Sequence, residues 1–315
     1  MKKILTTLLA TMLFALAWAD ELPFQRVKII SSFPVGSGPD AFTRNLVEVL
    51  SEQWKRPVVV ENKPGANGIV AAEAFVVETN AKQSDLIVYL TSVDLLFAYS
   101  IINQTEKYNQ IFRPLVPALK TDMVLISGPG IKNWDSLIKK VQDNPSYGSW
   151  GIGSGGHIAA LQFLELLNKP GVHAPYRDFN QWFVDVSSEQ LPFSFITIAS
   201  SRKLEQAGKL KYMAVTSDRR HPDYPNVPTM AELTGKKIGW SLWTSFYVSR
   251  NMPDSLAERL NKDFTEAMKS AKITDTYAAL NYRPWLLNLR EVEDALNKDR
   301  QLWSNAFKKY NIKFE

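Results

Sequence analysis

Hydrophobic and polar positions alternate along the chain in two patterns, one typical of short buried strands and the other typical of amphipathic helices. The apolar run 27–30 predicts a strand. The residues that follow at the spacing of one helical face are Phe42, Leu46, Val49 and Leu50. Between them lies the glycine-rich segment 33–40, where Pro39 suits a first helical turn because its missing N–H would be unpaired there. The pattern therefore predicts a strand, a glycine-rich loop and a helix.

The same alternation continues through the first third of the chain. Segments 57–60 and 86–90 are short apolar runs that predict buried strands, and a predicted helix through Ala71 and Phe75 lies between them. Alternating strands and helices favour a mostly parallel sheet that is covered on both faces. In such sheets ligands bind beyond the carboxyl ends of the strands. The loops expected to meet there are 33–40, Asn67–Gly68 and Thr91–Ser92.

A second alternating unit follows the proline-punctuated stretch 112–117, which predicts a passage out of a first lobe. Its predicted strands are 123–127, 147–150, 172–176, 193–197 and 210–216. The glycine-rich segment 151–157 precedes a helix and repeats the opening arrangement. The proline-rich segment 221–228 predicts the return, and the C-terminal part is predicted to be helical. The chain is thus expected to form lobe 1 from 20–120 and 226–315, and lobe 2 from 121–225.

The first residues have the pattern of a secretory signal. Lys2 and Lys3 precede the apolar stretch 4–18, which closes on small residues before Asp20, so we expect residues 1–19 to be removed on export. No later stretch is apolar and long enough to predict a membrane-spanning helix, so an exported, soluble product is expected. The chain contains no cysteine, which excludes disulfides, a lipid-bearing cysteine and a thiol nucleophile.

Composition narrows the function classes. The formal net charge is +5, and two of the positive charges, Lys2 and Lys3, belong to the expected leader. The remaining charge is small and the basic residues do not form a run, so nucleic acid is not an expected partner. Most of the 9 Trp, 11 Tyr and 16 Phe are expected in the core, although a cleft lined by some of them would hold an apolar or aromatic ligand body. The helix N-termini behind the two glycine-rich loops favour an anionic guest, because they present unpaired N–H groups and the positive end of the helix dipole.

Three other chemistries have weaker support. Residues 151–156 fit a dinucleotide-binding glycine pattern with Asp178 downstream, but the segment before them is poorly apolar for a central strand. Ser37 and Ser154 both lie between glycines, yet neither has the glycine two residues earlier that a nucleophile elbow requires, so a secreted hydrolase using Ser154 is the lesser alternative. The three histidines are too scattered to predict a metal site, and no cofactor is expected.

Motifs in order along the whole mature chain resemble the tripartite tricarboxylate transporter solute-receptor family, also called Bug proteins. In the first lobe these are Phe33-Pro34 with Gly36, Gly38 and Asp40, then 57–66 with Gly68 and 71–74. In the second lobe they are 147–149 with Gly151, Gly153, Gly155 and His157, then Pro175-Tyr176, 207–210, 214–217 and 227–229. The resemblance implies a type II periplasmic binding protein fold, with each lobe a mostly parallel or mixed sheet flanked by helices.

The resemblance also implies a function and a site. The expected protein is a monomeric, non-enzymatic periplasmic receptor that closes on a small carboxylate or dicarboxylate and presents it to membrane components of a transporter. The alternative is an orphan receptor that signals to a membrane sensor. The implied ligand-binding residues are Phe33, Val35, Gly36, Ser37, Gly38, Asp40, Asn67, Gly68, Thr91, Ser92, Ser154, Gly155, Gly156, His157, Phe179, Thr197 and Ile198. Of these, Asp40 would repel an anion if it faced the cleft, and is better suited to the helix that it opens.

The chain departs from the family pattern near the expected cleft. Segment 84–88 replaces the usual run before the third strand, and 177–179 (Arg, Asp, Phe) replaces the usual lysine, glycine and small hydroxyl residue. Pro192 and Ile196 stand at usually acidic positions. The usual dicarboxylate therefore does not follow automatically, and Phe179 favours a ligand with an aromatic or apolar body.

Overall fold

The computed structural model describes residues 22–81, 84–102, 110–176, 178–239 and 241–313, so the leader predicted over 1–19 lies outside the described residues. The strands are β1 (Arg26–Ser31), β2 (Val58–Asn62), β3 (Asp85–Ser92), β4 (Phe112–Thr121), β5 (Met123–Ser127), β6 (Ser146–Ser149), β7 (Val172–Pro175), β8 (Phe193–Thr197), β9 (Lys211–Val215) and β10 (Leu242–Ser249). The helices are α1 (Gly38–Trp54), α2 (Ile69–Asn80), α3 (Val93–Ile102), α4 (Trp134–Asp143), α5 (Gly155–Leu166), α6 (Phe179–Ser187), α7 (Ile198–Gln206), α8 (Met230–Thr234), α9 (Asp254–Met268), α10 (Ala271–Leu280) and α11 (Leu289–Lys309).

These elements form two five-stranded mixed sheets with the same plan, which confirms the predicted two-lobed α/β fold. The first sheet has the order β2-β1-β3-β10-β4, and the second has the order β7-β6-β8-β5-β9. In the first, β1 is parallel to β2 and β3, while β10 is antiparallel to β3 and β4. In the second, β6 is parallel to β7 and β8, while β5 is antiparallel to β8 and β9. In each sheet the fourth strand arrives from the other lobe.

The stretch 112–117, predicted to lead out of the first lobe, is part of strand β4, which runs on to β5 of the second sheet. β4 is the edge strand of the first sheet and pairs with β10. An edge strand tolerates proline because the missing N–H need not join a ladder. The pairing register shifts beside Pro114 and Pro117, where Leu115 and Ala118 have no partner in β10. The prolines therefore mark bulges in a strand, not a break between lobes.

The lobes are joined where β4 runs into β5, and Asp122 occupies that junction. Its carboxylate accepts hydrogen bonds from Ser241 Oγ at 2.7 Å and Arg283 Nη2 at 2.6 Å, and only 2% of the residue is exposed. Its backbone oxygen accepts from the N–H of Ile198, at the start of α7. The Asp122 carboxylate at the first crossing thus binds Ser241, just before β10, and Arg283 in the C-terminal part of the chain.

Two contacts bear on where the chain returns to the first lobe. Thr229 forms an isolated bridge with Val215 of β9, and the Gly239 N–H donates to Gln162 of α5 at 2.7 Å. Thr229 also begins helix α8, where it forms a capping box with Glu232. We therefore propose that lobe 2 extends to about Gly239 and that the chain returns to lobe 1 just before β10.

We predict that Phe264→Ala destabilises the protein by about 3–5 kcal/mol, because a large buried ring would leave a cavity. Phe264 is fully buried in the first-lobe core, where its ring packs against Trp54 and Phe246. Urea unfolding followed by circular dichroism measures the change. The control is Leu302→Ala on α11, which is 41% exposed and should change stability by less than about 0.5 kcal/mol. Equal effects of the two substitutions would contradict the assignment of the core.

Candidate functional site

The first-lobe loop, residues 33–40, follows β1 and ends in the first turn of α1. Ser37 is the N-cap of α1, with φ −69° and ψ 163°, and its hydroxyl accepts from the Asp40 N–H. Gly36 has φ +80°, a conformation that favours glycine. The Gly36 N–H points back into the loop and donates to the Asp40 carboxylate at 2.8 Å. The loop is therefore held by a bond between a glycine amide and the side chain four residues later.

The second-lobe loop, residues 151–157, has the same construction. Ser154 is the N-cap of α5, with φ −65° and ψ 161°, and its hydroxyl accepts from the His157 N–H. Gly153 has φ +75°, and its N–H donates to Nδ1 of His157 at 2.9 Å. Each cap hydroxyl also donates at 2.7 Å to the carbonyl three residues earlier, Pro34 or Gly151. The two loops follow equivalent strands, since β1 and β6 are second in their sheets.

Both loops keep backbone donors available. Among the described residues, no acceptor is found for the N–H groups of Val35 and Gly38 in the first loop or of Ile152, Gly155 and Gly156 in the second. These are the orphan donors of a helix N-terminus and its entry turn. Because the helix dipole adds a positive potential at the same place, each loop favours an anionic group.

The two loops differ in burial. Val35 is 71% exposed at the first, whereas Gly155 and Gly156 are buried at the second. A Cβ on Gly156 would lie 2.5 Å from the Phe195 carbonyl oxygen, and one on Gly155 would lie 3.0 Å from Leu242 at the start of β10. The second loop therefore lies against β8 and β10, and a substitution at Gly156 would displace backbone.

Asp40 lies behind the first loop, which replaces its assignment as a ligand contact with a positioning role. Besides the Gly36 N–H, its carboxylate accepts from Arg44 Nε at 3.0 Å and Asn62 Nδ2 at 2.8 Å, and its side chain is 2% exposed. Burial alone would raise its pKa, but Arg44, the Gly36 amide and Asn62 together outweigh that cost and lower the pKa.

His157 has the position in the second loop that Asp40 has in the first, and its imidazole ring is neutral. Its ring stacks on His173 with centroids 4.0 Å apart and planes 9° apart. Burial, and then the neighbouring His173, lower the pKa of His157 to about 3, and burial lowers that of His173 to about 4. Because Nδ1 of His157 accepts the Gly153 N–H, a proton on that nitrogen would break the bond. The loop geometry thus requires the uncharged ring.

The serines do not form an exposed nucleophile. Ser154 Oγ bonds Ser149 Oγ, the Gly151 carbonyl and the His157 N–H, and none of these is a base. His173 Nε2 lies 2.7 Å from Ser149 Oγ, but Ser149 is fully buried. The geometry therefore offers no support for a hydrolase that uses Ser154.

The remaining first-lobe candidates meet at the end of β3. Thr91 is fully buried, and its hydroxyl accepts from Ser32 Oγ at 3.0 Å. Gly68 is also buried. It lies next to Ser32, since a Cβ added to Gly68 would be 3.6 Å from Ser32 Cβ. Ser92 donates to the Asp94 carboxylate. Asn67 lies in the short 3₁₀ turn between β2 and α2. The predicted convergence of loops at this edge agrees with these contacts.

The second-lobe candidates divide between surface and core. Phe179 is 41% exposed at the start of α6 and packs edge-on against Trp182. Thr197 caps α7 through the Ser200 N–H, whereas the side chain of Ile198 is buried in the second-lobe core and is not available to a ligand. Of the three, Phe179 and Thr197 remain candidate wall residues.

Two residues that the sequence did not single out connect the lobes at this edge. Trp150, between β6 and the second-lobe loop, donates from Nε1 to Asp94 Oδ2 at 3.3 Å, and Asp94 lies in the first turn of α3. Trp150 also packs against Trp182 with centroids 6.1 Å apart. The two loops can be paired from the sequence, because residues 35–38 (Val-Gly-Ser-Gly) closely match residues 152–155 (Ile-Gly-Ser-Gly). No sequence pattern indicates the contact between Trp150 and Asp94, which are 56 positions apart.

Two features are absent from the part of the chain that the structure describes. No helix there is long and apolar enough to cross a membrane. No group of three or more His, Asp or Glu side chains there could hold a metal ion.

A family model described as tripartite tricarboxylate transporter family receptor matches residues 42–312. A UPF0065 protein of Bordetella pertussis is 24% identical over 303 residues, which cover 93% of either chain. The protein BugT of the same organism is 23% identical over 305 residues, covering 94% of this chain and 93% of the relative.

Solved structures share the fold. The periplasmic binding protein BugD superposes with a TM-score of 0.77 at 22% identity, covering 93% of this chain and 100% of BugD. MatC of Rhodopseudomonas palustris, with bound malate, gives a TM-score of 0.76 at 17% identity, covering 90% of this chain and 99% of MatC. An R. palustris protein with adipate gives 0.77 at 20% identity, covering 91% and 98%. These likenesses show the fold of this chain.

We predict that Asp40→Asn lowers stability at pH 7 by about 2 kcal/mol, because charge-assisted bonds to Gly36, Arg44 and Asn62 are weakened. The folded pKa of Asp40 lies below the unfolded value of about 3.9, so its stabilisation is present above that pH and is lost as the pH falls through the folded pKa. Urea unfolding at several pH values should therefore show the two proteins converging in acid. Glu48→Gln on the same helix is the control, since the side chain of Glu48 is 60% exposed and its ion pair with Lys272 lies at the surface. A difference that persists unchanged in acid would refute the role given to Asp40.

We also predict that His157 and His173 stay neutral down to about pH 5. Their folded pKa values of about 3 and about 4 lie below the unfolded value of about 6.5, so the unfolded chain takes up protons first and stability falls as the pH drops below about 6.5. NMR titration of the imidazole resonances, assigned with His157→Gln and His173→Gln, measures this directly. Resonances that titrate near 6.5 in the folded protein, as in the urea-unfolded chain, would show that the stacked pair is not formed.

Proposed function

The chain belongs to the tripartite tricarboxylate transporter receptor family, and on that premise we propose that it captures a small carboxylate between its two lobes. The observation that carries the proposal is the matched pair of loops, each with a serine-capped helix N-terminus and unpaired backbone N–H groups. A carboxylate fits such donors because its oxygens accept several hydrogen bonds without a charged side chain.

The first-lobe loop is the entry contact in this proposal. It is partly exposed, and its Val35 and Gly38 amides face no protein acceptor among the described residues. The second-lobe loop, with Gly155 and Gly156, receives the other end of the ligand when the lobes close. Hydrogen bonds to a charged group contribute roughly 1.5–3 kcal/mol each. Four of them, less the cost of association and closure, are consistent with micromolar affinity.

An aromatic or apolar ligand body is the finer part of the proposal. Trp150, Tyr176 and Phe179 are at least partly exposed beside the second-lobe loop, and all three pack against the fully buried ring of Trp182, with Tyr176 stacked on it at 14°. Aromatic faces of this kind favour a flat or apolar body next to the carboxylate.

The proposed setting is the periplasm, and the proposed partner is the membrane part of a tripartite tricarboxylate transporter. Family membership and the likeness to periplasmic binding proteins support this setting. Signalling to a membrane sensor is the alternative partner. Loss of carboxylate uptake when this chain is deleted, with recovery on its return, would favour transport over signalling.

We predict that Val35→Glu weakens carboxylate binding at least tenfold, since it places a negative charge beside the first-lobe loop without removing a buried group. Isothermal titration with the tightest acid found in a thermal-shift screen of carboxylic acids measures the effect. The control is Val35→Gln, because glutamine is nearly the same size as glutamate but has no charge. Its affinity should be within about threefold of that of the unaltered protein. The loss in Val35→Glu should shrink in high salt because exposed charges are screened.

A second control is Val77→Glu, at a 67% exposed position on α2. It introduces the same charge away from the loop and should leave affinity unchanged. Equal weakening by both glutamates would mean that net charge, and not the loop, controls binding. A screen in which no carboxylic acid stabilises the protein, whereas sugars or amines do, would overturn the proposed function.

A further inference from the structure

Asp94 is a buried carboxylate at the boundary between the lobes. It is the second residue of α3, and only 3% of it is exposed. Ser92 Oγ donates to Oδ1, and Trp150 Nε1 donates to Oδ2 across from the second lobe. The residue therefore lies where β3 ends in lobe 1 and where the second-lobe loop begins in lobe 2.

No positive charge compensates Asp94 within the part of the chain that the structure describes. Its two partners there are a hydroxyl and an indole, and both are neutral donors. A carboxylate has about four acceptor positions, so roughly two remain for a further donor. Buried carboxylates are normally paired with a cation, because neutral donors only partly offset the loss of water. An uncompensated carboxylate at a ligand-facing edge therefore favours a cationic group from outside the chain.

The start of α3 does not by itself account for burial of this group. Asp135 has the same position in α4, as second residue and first-turn acid, yet it is exposed to water. Both aspartates gain the favourable interaction with a helix dipole, which does not require burial. What differs is the opposite lobe, whose Trp150 covers Asp94. The burial of Asp94 thus belongs to the interlobe space and not to the needs of its helix.

Plain carboxylates would be disfavoured beside this residue. Asp94 follows Thr91 and Ser92 at the edge where Ser32 of the β1 end and Gly68 also meet, which is the edge that carries the first-lobe loop. A ligand carboxylate bound at that loop would be near a second, like charge with little water between them. A ligand that also carries an ammonium group converts this repulsion into an attraction.

Resting on the proposed function, we propose that Asp94 makes the receptor selective for carboxylates that carry a cationic amino group, the chemistry of an amino acid. The ligand carboxylate takes the amides of the first-lobe loop, and its ammonium donates to the open acceptor positions of Asp94. Trp150 supplies the covering contact when the lobes close.

The test uses two matched pairs of probes: L-glutamate with glutarate, and L-phenylalanine with 3-phenylpropionate. Within each pair the carbon skeleton is the same and only the amino group differs. Isothermal titration of the full mature chain should give at least tenfold tighter binding of the amino acid in at least one pair. In Asp94→Asn that ratio should fall to about one, through weaker binding of the amino acid. Asp135→Asn, the matched helix position, should leave the ratio unchanged.

Thermal unfolding of the unliganded variants accompanies the titrations, so that a ratio is compared only between folded proteins. If Asp94→Asn does not fold, Asp94→Glu replaces it, and its longer side chain should lower the ratio while keeping the charge. A ratio near one in the unaltered protein, an unchanged ratio in the folded Asp94 variant, or no binding of either amino acid overturns the inference. Binding of glutarate or 3-phenylpropionate alone would overturn it while leaving the carboxylate receptor intact, whereas stabilisation by no carboxylate of any kind would count against both.

Discussion

The site depends on one hydrogen bond, made twice: a glycine N–H at positive φ donates to the side chain four residues later. In the first lobe Gly36 donates to Asp40, and in the second Gly153 donates to His157. The bond uses the glycine amide and fixes the turn, while the amides of Val35 and Gly38 in the first loop and of Ile152, Gly155 and Gly156 in the second have no acceptor among the described residues. An acceptor is therefore required at the fourth position, but its charge is not fixed, which allows an aspartate in one lobe and a neutral histidine in the other.

The identity of this acceptor determines how much exposure to water each loop tolerates. Asp40 is ionised and surrounded by donors, so the first loop is anchored to Arg44 and Asn62 of its own lobe. His157 is uncharged and stacked on His173, so the second loop depends on exclusion of water and protons. The first loop can remain partly exposed, as Val35 shows, whereas the second must be covered by β8 and β10. One lobe thus offers an accessible contact and the other a buried, preformed one.

The lobes communicate through carboxylates as well as through the chain. Asp122 binds Ser241 and Arg283 where the chain crosses, and Asp94 accepts from Trp150 at the edge proposed to face the ligand. The first has a cationic partner and is a fixed joint. The second has only neutral partners among the described residues, which is why it is a candidate for recognition and Asp122 is not.

The sequence by itself determined the alternating elements, the two lobes and the two glycine-rich loops that precede helices, because these follow from local patterns: apolar periodicity and clusters of glycine between a strand and a helix. It did not determine which way Asp40 or Ile198 faces, that residues 112–117 form an edge strand, or that Trp150 meets Asp94. A side chain's direction and a strand's place at an edge depend on neighbours supplied by distant segments, such as β10 for β4 and Asn62 for Asp40. Only the tertiary structure brings those segments together, so only it decides which polar groups are used internally and which are left for a ligand.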